Sequence, residues 1–159
     1  FFSLSALWVF LTTANALTLI LNNPDINGVI FLGIGGIIWF IGFSFEVIAD
    51  EQKRQFRRKE SNHGRFIKTG LWSMSRHPNY FGEILIWIGM AVISFPVLSG
   101  WQYATLISPL FVILMLTRVS GINLLEKSAD KKWGNLDEYQ TYKSTTATLI
   151  PFNKSKNKN

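Results

Sequence analysis

The sequence predicts an all-α membrane protein, a polytopic bundle of helices, and the distribution of its apolar residues is the main reason. In the first 45 of its 159 residues the only charged residue is Asp25, and residues 84–117 carry no charge at all. An uninterrupted apolar run of about 18 residues or more is long enough to span a bilayer. Runs of this length are too extensive for the core of a soluble domain of this size. The chain is therefore expected to cross the membrane several times.

The charged residues are concentrated beside the apolar runs. All sixteen lysines and arginines lie in residues 53–76 or 118–158, and the formal net charge is +6. Loops rich in Lys and Arg tend to stay on the cytoplasmic side of a membrane, so we expect both basic regions to be cytoplasmic. The chain has no cysteine and only two histidines, which excludes disulfides and thiol catalysis and predicts no metal site.

Four spans are predicted, separated by turns. They are residues 1–21, 28–48, 81–98 and 101–117. Between the first two, residues 22–27 are rich in Asn, Pro and Asp, which favours a turn on the non-cytoplasmic side. No basic region precedes the first run and the chain begins with Phe. We therefore do not interpret that run as a signal peptide, and expect the natural N-terminus to lie further upstream.

Small residues recur along the second span. Gly28, Gly35, Gly42 and Ala49 follow one another at intervals of seven, which places them along one side of a helix. Small side chains on one side allow another helix to approach closely. The sequence therefore predicts a helix contact along this line.

A polar stripe follows at the end of the second span. Residues on a helix are 100° apart, so Glu46, Asp50, Lys53 and Arg57 fall within a sector of about 60°. Lys53 and Arg57 lie one turn apart, a spacing suited to neighbouring phosphates. The alternative is a solvated juxtamembrane helix in which Asp50 and Lys53 pair locally.

Polar and aromatic side chains are clustered just before the third span. Trp72 either anchors the chain at the membrane interface or stacks on a flat ring. His77 precedes Pro78, and Pro is well placed in the first turn of a helix, so a helix is predicted to begin there. The free backbone amides at that helix end, with Arg76 and Asn79 beside them, can receive an anion.

The C-terminal part is predicted to be amphipathic. After the fourth span apolar and charged residues alternate at helical spacing, and residues 137–143 are typical of a short surface helix. Residues 153–159 hold three lysines and no apolar residue, which is typical of a disordered tail. We therefore predict one membrane domain over residues 1–152, followed by a tail over residues 153–159.

These motifs, in this order, resemble the C-terminal domain of membrane steroid 5α-reductases and sterol reductases. The resemblance is strongest to their bacterial-type membrane relatives, and it extends over roughly residues 28–152. The residues that carry it are Gln52-Lys53-Arg54-Gln55-Phe56-Arg57, the run from Gly70 to Glu83, and Ser120-Gly121-Ile122-Asn123-Leu124-Leu125-Glu126. Several motifs recur at suitable separations, which makes the resemblance specific.

The resemblance implies a cytoplasmic pocket that binds NADPH between the ends of the helices. Lys53 and Arg57 match positions that contact the cofactor's phosphates. The positions that match the motif lining the nicotinamide ribose and pyrophosphate are Trp72, Arg76, His77, Asn79 and Tyr80. Glu126 and Trp133 match a C-terminal acid and aromatic residue. Sterol reductases carry a further Arg shortly before that acid, and we expect Arg118 to take its place.

The resemblance also implies a reaction, the transfer of a hydride from NADPH to an electron-poor double bond of an apolar, steroid-like or lipid substrate. A hydrogen-bond donor would stabilise the developing enolate, and Tyr80, oriented by Glu83, is the candidate in this chain. Glu83 is either a salt-bridge partner for Arg76 or an acceptor for a ligand hydroxyl. Steroid reductases carry polarising Glu and Tyr residues on upstream helices, so we expect the catalytic acid to lie outside these 159 residues.

Two other functions remain open. Isoprenylcysteine-type methyltransferases share the Arg-His-Pro motif, but S-adenosylmethionine has no phosphate that would account for Lys53 and Arg57. A non-catalytic protein whose basic loops contact anionic headgroups is the second alternative. We predict membrane lipids and an apolar substrate as partners, and no nucleic acid. The sequence gives no prediction of the oligomeric state.

Overall fold

The computed structural model describes residue 17, residues 26–119 and residues 121–151. In that part of the chain the regular structure is helical, apart from one isolated parallel bridge between Ser75 and Ala147. The all-α prediction is confirmed. Apart from Leu17, the predicted first span lies outside the described residues, as do most of the turn at 22–27 and the tail at 153–159.

Five α-helices are present among the described residues. They are α1 (Ile26–Arg58), α2 (Pro78–Ser94), α3 (Ile107–Leu114), α4 (Ile122–Trp133) and α5 (Asp137–Thr145). The shorter elements are 3-10 helices at Glu60–Asn62, Gly70–Ser73, Phe95–Val97 and Gly100–Leu106, and a π-helix at Met115–Val119. The chain divides into two compact units, unit 1 with residues 1–43 and 83–116, and unit 2 with residues 44–82 and 117–159.

Among the described residues, three helical stretches are long and apolar enough to cross a membrane. They are Gly28–Arg58, Pro78–Val97 and Gly100–Trp133. The first and the last contain the second and fourth predicted spans, and Pro78–Val97 covers the third predicted span except for its final residue. Large apolar side chains of α1 are exposed, including Ile30, Ile37 and Phe40 at 63%, 64% and 65%. Such a surface is unfavourable in water and suits the hydrocarbon core of a bilayer.

The predicted line of small residues on α1 is buried at all four positions. In unit 1, a Cβ placed on Gly35 would lie 2.7 Å from the carbonyl oxygen of Gly89 in α2. A Cβ on Gly89 would lie 2.8 Å from the carbonyl oxygen of Gly35. The two backbones therefore touch here, which confirms the close helix contact that the spacing predicted.

Helix α2 begins at Pro78, as the sequence predicts. The first four amides of a helix have no acceptor within it, so the missing N–H of proline costs no hydrogen bond at this position. The first bond of the helix runs from the amide of Phe81 to the carbonyl of His77, at 3.2 Å. His77 is thereby fixed at the entrance of α2.

The fourth predicted span is helical but changes type along its length. It starts as a 3-10 helix whose first residue follows Ser99, and Ser99 forms a capping box with Gln102. Helix α3 follows, with Pro109 in its first turn, where proline is tolerated. The π-helix follows, and its residue Arg118 belongs to unit 2.

Unit 2 contains the predicted amphipathic C-terminal helices. Asp130 of α4 accepts hydrogen bonds from Lys143 at 2.6 Å and from the Tyr139 hydroxyl at 3.2 Å, both in α5. A salt bridge also joins Lys68 to Glu138, and this hydrogen-bonded ammonium lowers the pKa of the Glu138 carboxyl. These polar contacts hold α5 against α4 and against the loop that precedes residues 72–77, which we call the central motif.

Candidate functional site

A cavity of about 400 Å³ lies within unit 2. Its walls come from the end of α1, the loop at residues 62–67, the central motif at residues 72–77, and helices α4 and α5. This volume falls in the range of ligand pockets in proteins. The cavity is therefore the candidate functional site.

Arg76 organises one wall of this cavity. Its Nε and Nη2 lie 3.2 Å and 2.9 Å from the two carboxylate oxygens of Glu126. Nη1 donates to the carbonyls of Lys143 and, at 3.0 Å, Thr146, and Nη2 also donates to the hydroxyl of Thr148 at 2.9 Å. A guanidinium has five N–H donors; four of them make these hydrogen bonds, and Nη2 also lies in the salt bridge with Oε2 of Glu126. Arg76 ties α4 and the end of α5 to the central motif.

His77 lies beside Arg76 and shares its carboxylate. Its Nε2 is 2.9 Å from Oε1 of Glu126, and only 6% of the residue is exposed. The ring is stacked on that of Tyr80, with ring centroids 5.7 Å apart. The sequence suggested Glu83 as a candidate salt-bridge partner for Arg76, whereas the salt bridge observed for Arg76 is with Glu126.

Trp72 connects the central motif to the end of α1. The ring is buried, and its indole N–H donates to the carbonyl oxygen of Ala49 at 3.0 Å. The ammonium of Lys53 lies 4.8 Å from the centre of the ring, a distance at which a cation is attracted to the aromatic face. Trp72 thus orients Lys53 at the wall of the cavity.

Four aromatic rings form the opposite wall, from the loop, α4 and α5. Phe66 packs against Trp133, Tyr139 and Tyr142, with centroids 5.8, 5.3 and 5.4 Å apart. The indole N–H of Trp133 donates to the carbonyl of Gly64 at 2.5 Å, which fixes the loop against α4. Burial raises the pKa of Tyr139 to about 12 and also raises the pKa of Tyr142.

The charge on the cavity wall is strongly positive. Lysine and arginine side chains that line it and form no salt bridge in the described part of the chain are Lys53, Arg57, Arg65 and Lys132. Glu126 is the one acidic residue among the lining side chains, and Arg76 already pairs with it. The uncompensated charge favours an anionic ligand.

The structure brings seven of the ten predicted cofactor-binding residues together at this cavity. They are Lys53, Arg57, Trp72, Arg76, His77, Glu126 and Trp133. The amide of Asn79 instead donates to Asp50 at 3.1 Å. Tyr80 is stacked on His77 and is not among the residues that line the cavity, and Arg118 is exposed in the π-helix. Glu83, predicted with Tyr80 as catalytic, belongs to unit 1.

Several lining residues were not predicted from the sequence. They include His63, Arg65, Phe66, Lys132, Tyr139 and Tyr142. One usable signal was present in α4, where Leu125, Ala129 and Lys132 have the spacing of a single helix face. The loop at residues 62–67 offered none, because its place at the cavity depends on contacts with residues about 70 positions away.

Comparison with known proteins identifies the family. Residues 1–146 match the family model described as "Protein of unknown function (DUF1295)". The chain belongs to this family. Membership of DUF1295, together with a match to a steroid dehydrogenase, confirms the predicted resemblance to steroid 5α-reductase-like proteins.

The relatives of this DUF1295 chain include two oxidoreductases and a probable methyltransferase. The chain is 25% identical over 118 residues to 3-oxo-5-alpha-steroid 4-dehydrogenase 1 of Mus musculus, which is 74% of this chain and 41% of that protein. It is 33% identical over 75 residues to a very-long-chain enoyl-CoA reductase of Dictyostelium discoideum, 47% of this chain and 24% of that protein. A probable O-methyltransferase, ustE, of Ustilaginoidea virens is 30% identical over 74 residues, 46% of this chain and 26% of that protein.

The matches cover only part of each relative. The chain spans about two fifths of the length of the steroid dehydrogenase. No solved structure matches the chain significantly.

Proposed function

We propose that unit 2 binds NADPH and that the chain is part of a membrane reductase acting on an electron-poor carbon–carbon double bond of an apolar substrate. One observation carries the proposal: four cations without a salt bridge converge on an aromatic-walled cavity. NADPH has a pyrophosphate, a 2′-phosphate and two flat rings. Cations and aromatic faces are the groups that recognise these parts.

The residues present fit this cofactor. Two free cations, Lys53 and Arg57, lie on α1, and two more, Arg65 and Lys132, come from the loop and α4. These two pairs suit the two separate phosphate groups of NADPH. Arg76, with its donors engaged, would hold the wall in place and would not itself bind a phosphate.

The reaction class comes from the relatives, whose printed names include a steroid dehydrogenase and an enoyl-CoA reductase. When bound, NADPH would supply a hydride, with its two electrons, to one carbon of the double bond, and a proton taken up from solvent would complete the reduction at the other carbon. Tyr80 is stacked on the cavity-lining His77. It is the proposed hydrogen-bond donor that stabilises the negative charge on the oxygen of the developing enolate. Glu83 lies three residues further along α2, and residues three apart are neighbours on a helix surface. Glu83 is proposed to orient Tyr80.

Cofactor binding by the purified protein in lipid nanodiscs tests the proposal. Titration calorimetry is expected to show saturable binding of NADPH by the wild-type chain. Lys53→Ala and Arg57→Ala should each weaken it about tenfold, since a charge-assisted hydrogen bond contributes about 1.5 kcal/mol or more. Lys59→Ala removes the same charge from the end of α1 without touching the cavity lining, and should bind as wild type does. Equal affinity in all four proteins would contradict the phosphate assignment.

A methyltransferase is the second candidate, because a probable O-methyltransferase is among the relatives. S-adenosylmethionine carries a positive sulfonium, which four free cations on the wall would repel. The same titration with S-adenosylmethionine separates the two functions. Saturable binding of S-adenosylmethionine, with no binding of NADPH, would establish the methyltransferase instead.

A further inference from the structure

One ring nitrogen of His77 has no partner in the described part of the chain. Nε2 is engaged with Glu126 at 2.9 Å, and the backbone N–H donates to the hydroxyl of Ser75 at 3.2 Å. No described residue forms a hydrogen bond with Nδ1. The residue is 6% exposed and lines the cavity. Leaving a buried polar atom unpaired is destabilising, so a partner for this nitrogen is expected from the ligand.

The neighbours of His77 determine which nitrogen carries the proton. A carboxylate can only accept hydrogen bonds, and Arg76 holds the Glu126 carboxylate in place through two contacts at 2.9 and 3.2 Å. Nε2 must therefore donate to Glu126. In the neutral ring the other nitrogen is then an acceptor.

We propose that Nδ1 of His77 accepts a hydrogen bond from an uncharged donor of the cavity ligand, a hydroxyl or an amide N–H. Arg76 and Glu126 act as positioning residues that fix the tautomer. The phosphates of the ligand have no proton to give at neutral pH and are directed to the free cations, so the uncharged part of the ligand reaches His77. The inference rests on the proposed function, in which this ligand is NADPH.

Two substitutions at His77 separate the roles of its nitrogens. Glutamine places its amide near the position of Nε2, and asparagine places its amide near the position of Nδ1. His77→Gln should keep the bond to Glu126 but lose the ligand contact, and should weaken NADPH binding about fivefold, the worth of one hydrogen bond of about 1 kcal/mol. His77→Asn should bind NADPH with an affinity closer to that of the wild-type chain, and should instead lose thermal stability. The reverse pattern would overturn the proposal.

Nitrogen NMR of histidine provides a readout that a merely structural role would not alter. The chain has two histidines, and the His63→Gln variant assigns the signals of His77. In the ligand-free protein we expect a protonated Nε2 and an unprotonated Nδ1, and NADPH should shift the Nδ1 signal while Nε2 stays protonated. A ring protonated at Nδ1, or an Nδ1 signal that does not move at saturating NADPH, would overturn the proposal.

Two ligand analogues identify the donor. An NADPH analogue with an acetyl group in place of the carboxamide lacks the amide N–H, so a lost Nδ1 shift assigns the amide and a retained shift assigns a hydroxyl. A shift produced by adenosine 2′,5′-bisphosphate alone would place the donor on the adenosine half. If the wild-type chain does not bind NADPH, the proposed function fails and this inference with it. If it binds NADPH while His77→Gln binds equally well and Nδ1 does not respond, only this inference fails.

Discussion

The guanidinium of Arg76 and the carboxylate of Glu126 form a salt bridge in which Nη2 lies 2.9 Å from Oε2 and the side chains are only 10% and 18% exposed. The two residues are 50 positions apart, so the pair connects α4 to the entrance of α2. The same guanidinium also holds the backbone after α5. One side chain therefore joins three segments of unit 2.

Loss of Arg76 should destabilise the protein strongly. Arg76→Ala removes the buried cation that pairs with the Glu126 carboxylate, leaving His77 as its partner, and leaves the carbonyls of Lys143 and Thr146 without this donor. Breaking a largely buried pair costs about 3 kcal/mol or more. The measurement is chemical unfolding in mixed micelles. Arg54→Ala is the control, because its salt bridge with Glu51 has side chains 52% and 40% exposed and should contribute far less to stability. Equal losses in the two variants would show that Arg76 does not join these segments.

The contact between α1 and α2 predicts opposite results for two glycines. Gly89→Ala should lower stability by about 1–3 kcal/mol, the usual cost of overpacking, because the new Cβ would meet the backbone nitrogen of Trp39 at 2.7 Å. Gly36→Ala adds a methyl group where nothing lies within 4 Å, and alanine is the better helix former by about 1 kcal/mol. Thermal unfolding of both variants tests this, and a stable Gly89→Ala protein would contradict the close approach.

Local features of the sequence predicted much of the fold. The seven-residue spacing from Gly28 to Ala49 and the proline at the start of α2 act within one helix, so both could be read from neighbouring residues. The polar stripe on α1 also follows from helix geometry alone, and two of its members, Lys53 and Arg57, line the cavity.

The rest of the site depends on long-range contacts that no local pattern encodes. Arg76 looked like a ligand for an anion, but its partners include Thr148, 72 positions away. The aromatic wall likewise joins Phe66 to Tyr142, which is 76 positions away in the sequence. A side chain's free donors can be counted only after such contacts are known.

The buried tyrosines predict a loss of stability in alkaline solution. The pKa of Tyr139 is raised to about 12 in the folded protein, above the value of about 10 in an unfolded chain. A raised pKa means that the stabilisation is complete below pH about 10 and is lost as the pH rises through the folded value. Tyr142, whose pKa burial also raises, acts in the same direction.

Absorbance of the tyrosinate ion measures this directly. The alkaline titration of the wild-type chain should include a component that ionises near pH 12 or together with unfolding. Tyr139→Phe should reduce the amplitude of that component, leaving the part that belongs to Tyr142, and should reduce the dependence of stability on pH above about 10. Tyr103→Phe, which removes a ring that is 47% exposed, is the control and should leave the component in place. An amplitude that is unchanged in Tyr139→Phe would contradict the assignment.

The two pairs of free cations are predicted to bind different phosphate groups of the cofactor. Lys53 is half-buried against Trp72, whereas Arg65 and Lys132 are exposed at the edge of the cavity. The 2′-phosphate lies at the adenosine end of NADPH, which is the end expected nearer to solvent if the uncharged part of the cofactor reaches the buried His77. Arg65→Ala and Lys132→Ala should therefore weaken NADPH binding about tenfold and leave NADH binding nearly unchanged, since only NADPH carries the group they contact.

Lys53→Ala should weaken both nucleotides by a similar factor, because the pyrophosphate is common to them. Lys131→Ala removes a cation from the same turn of α4 but outside the cavity lining, and should change neither affinity. Calorimetric titration of each variant with NADPH and with NADH gives the ratio of the two affinities, and this ratio tests which cations bind the 2′-phosphate. A ratio that falls in Lys53→Ala and stays constant in Arg65→Ala and Lys132→Ala would reverse the assignment, placing the 2′-phosphate at α1 and the pyrophosphate at the exposed edge.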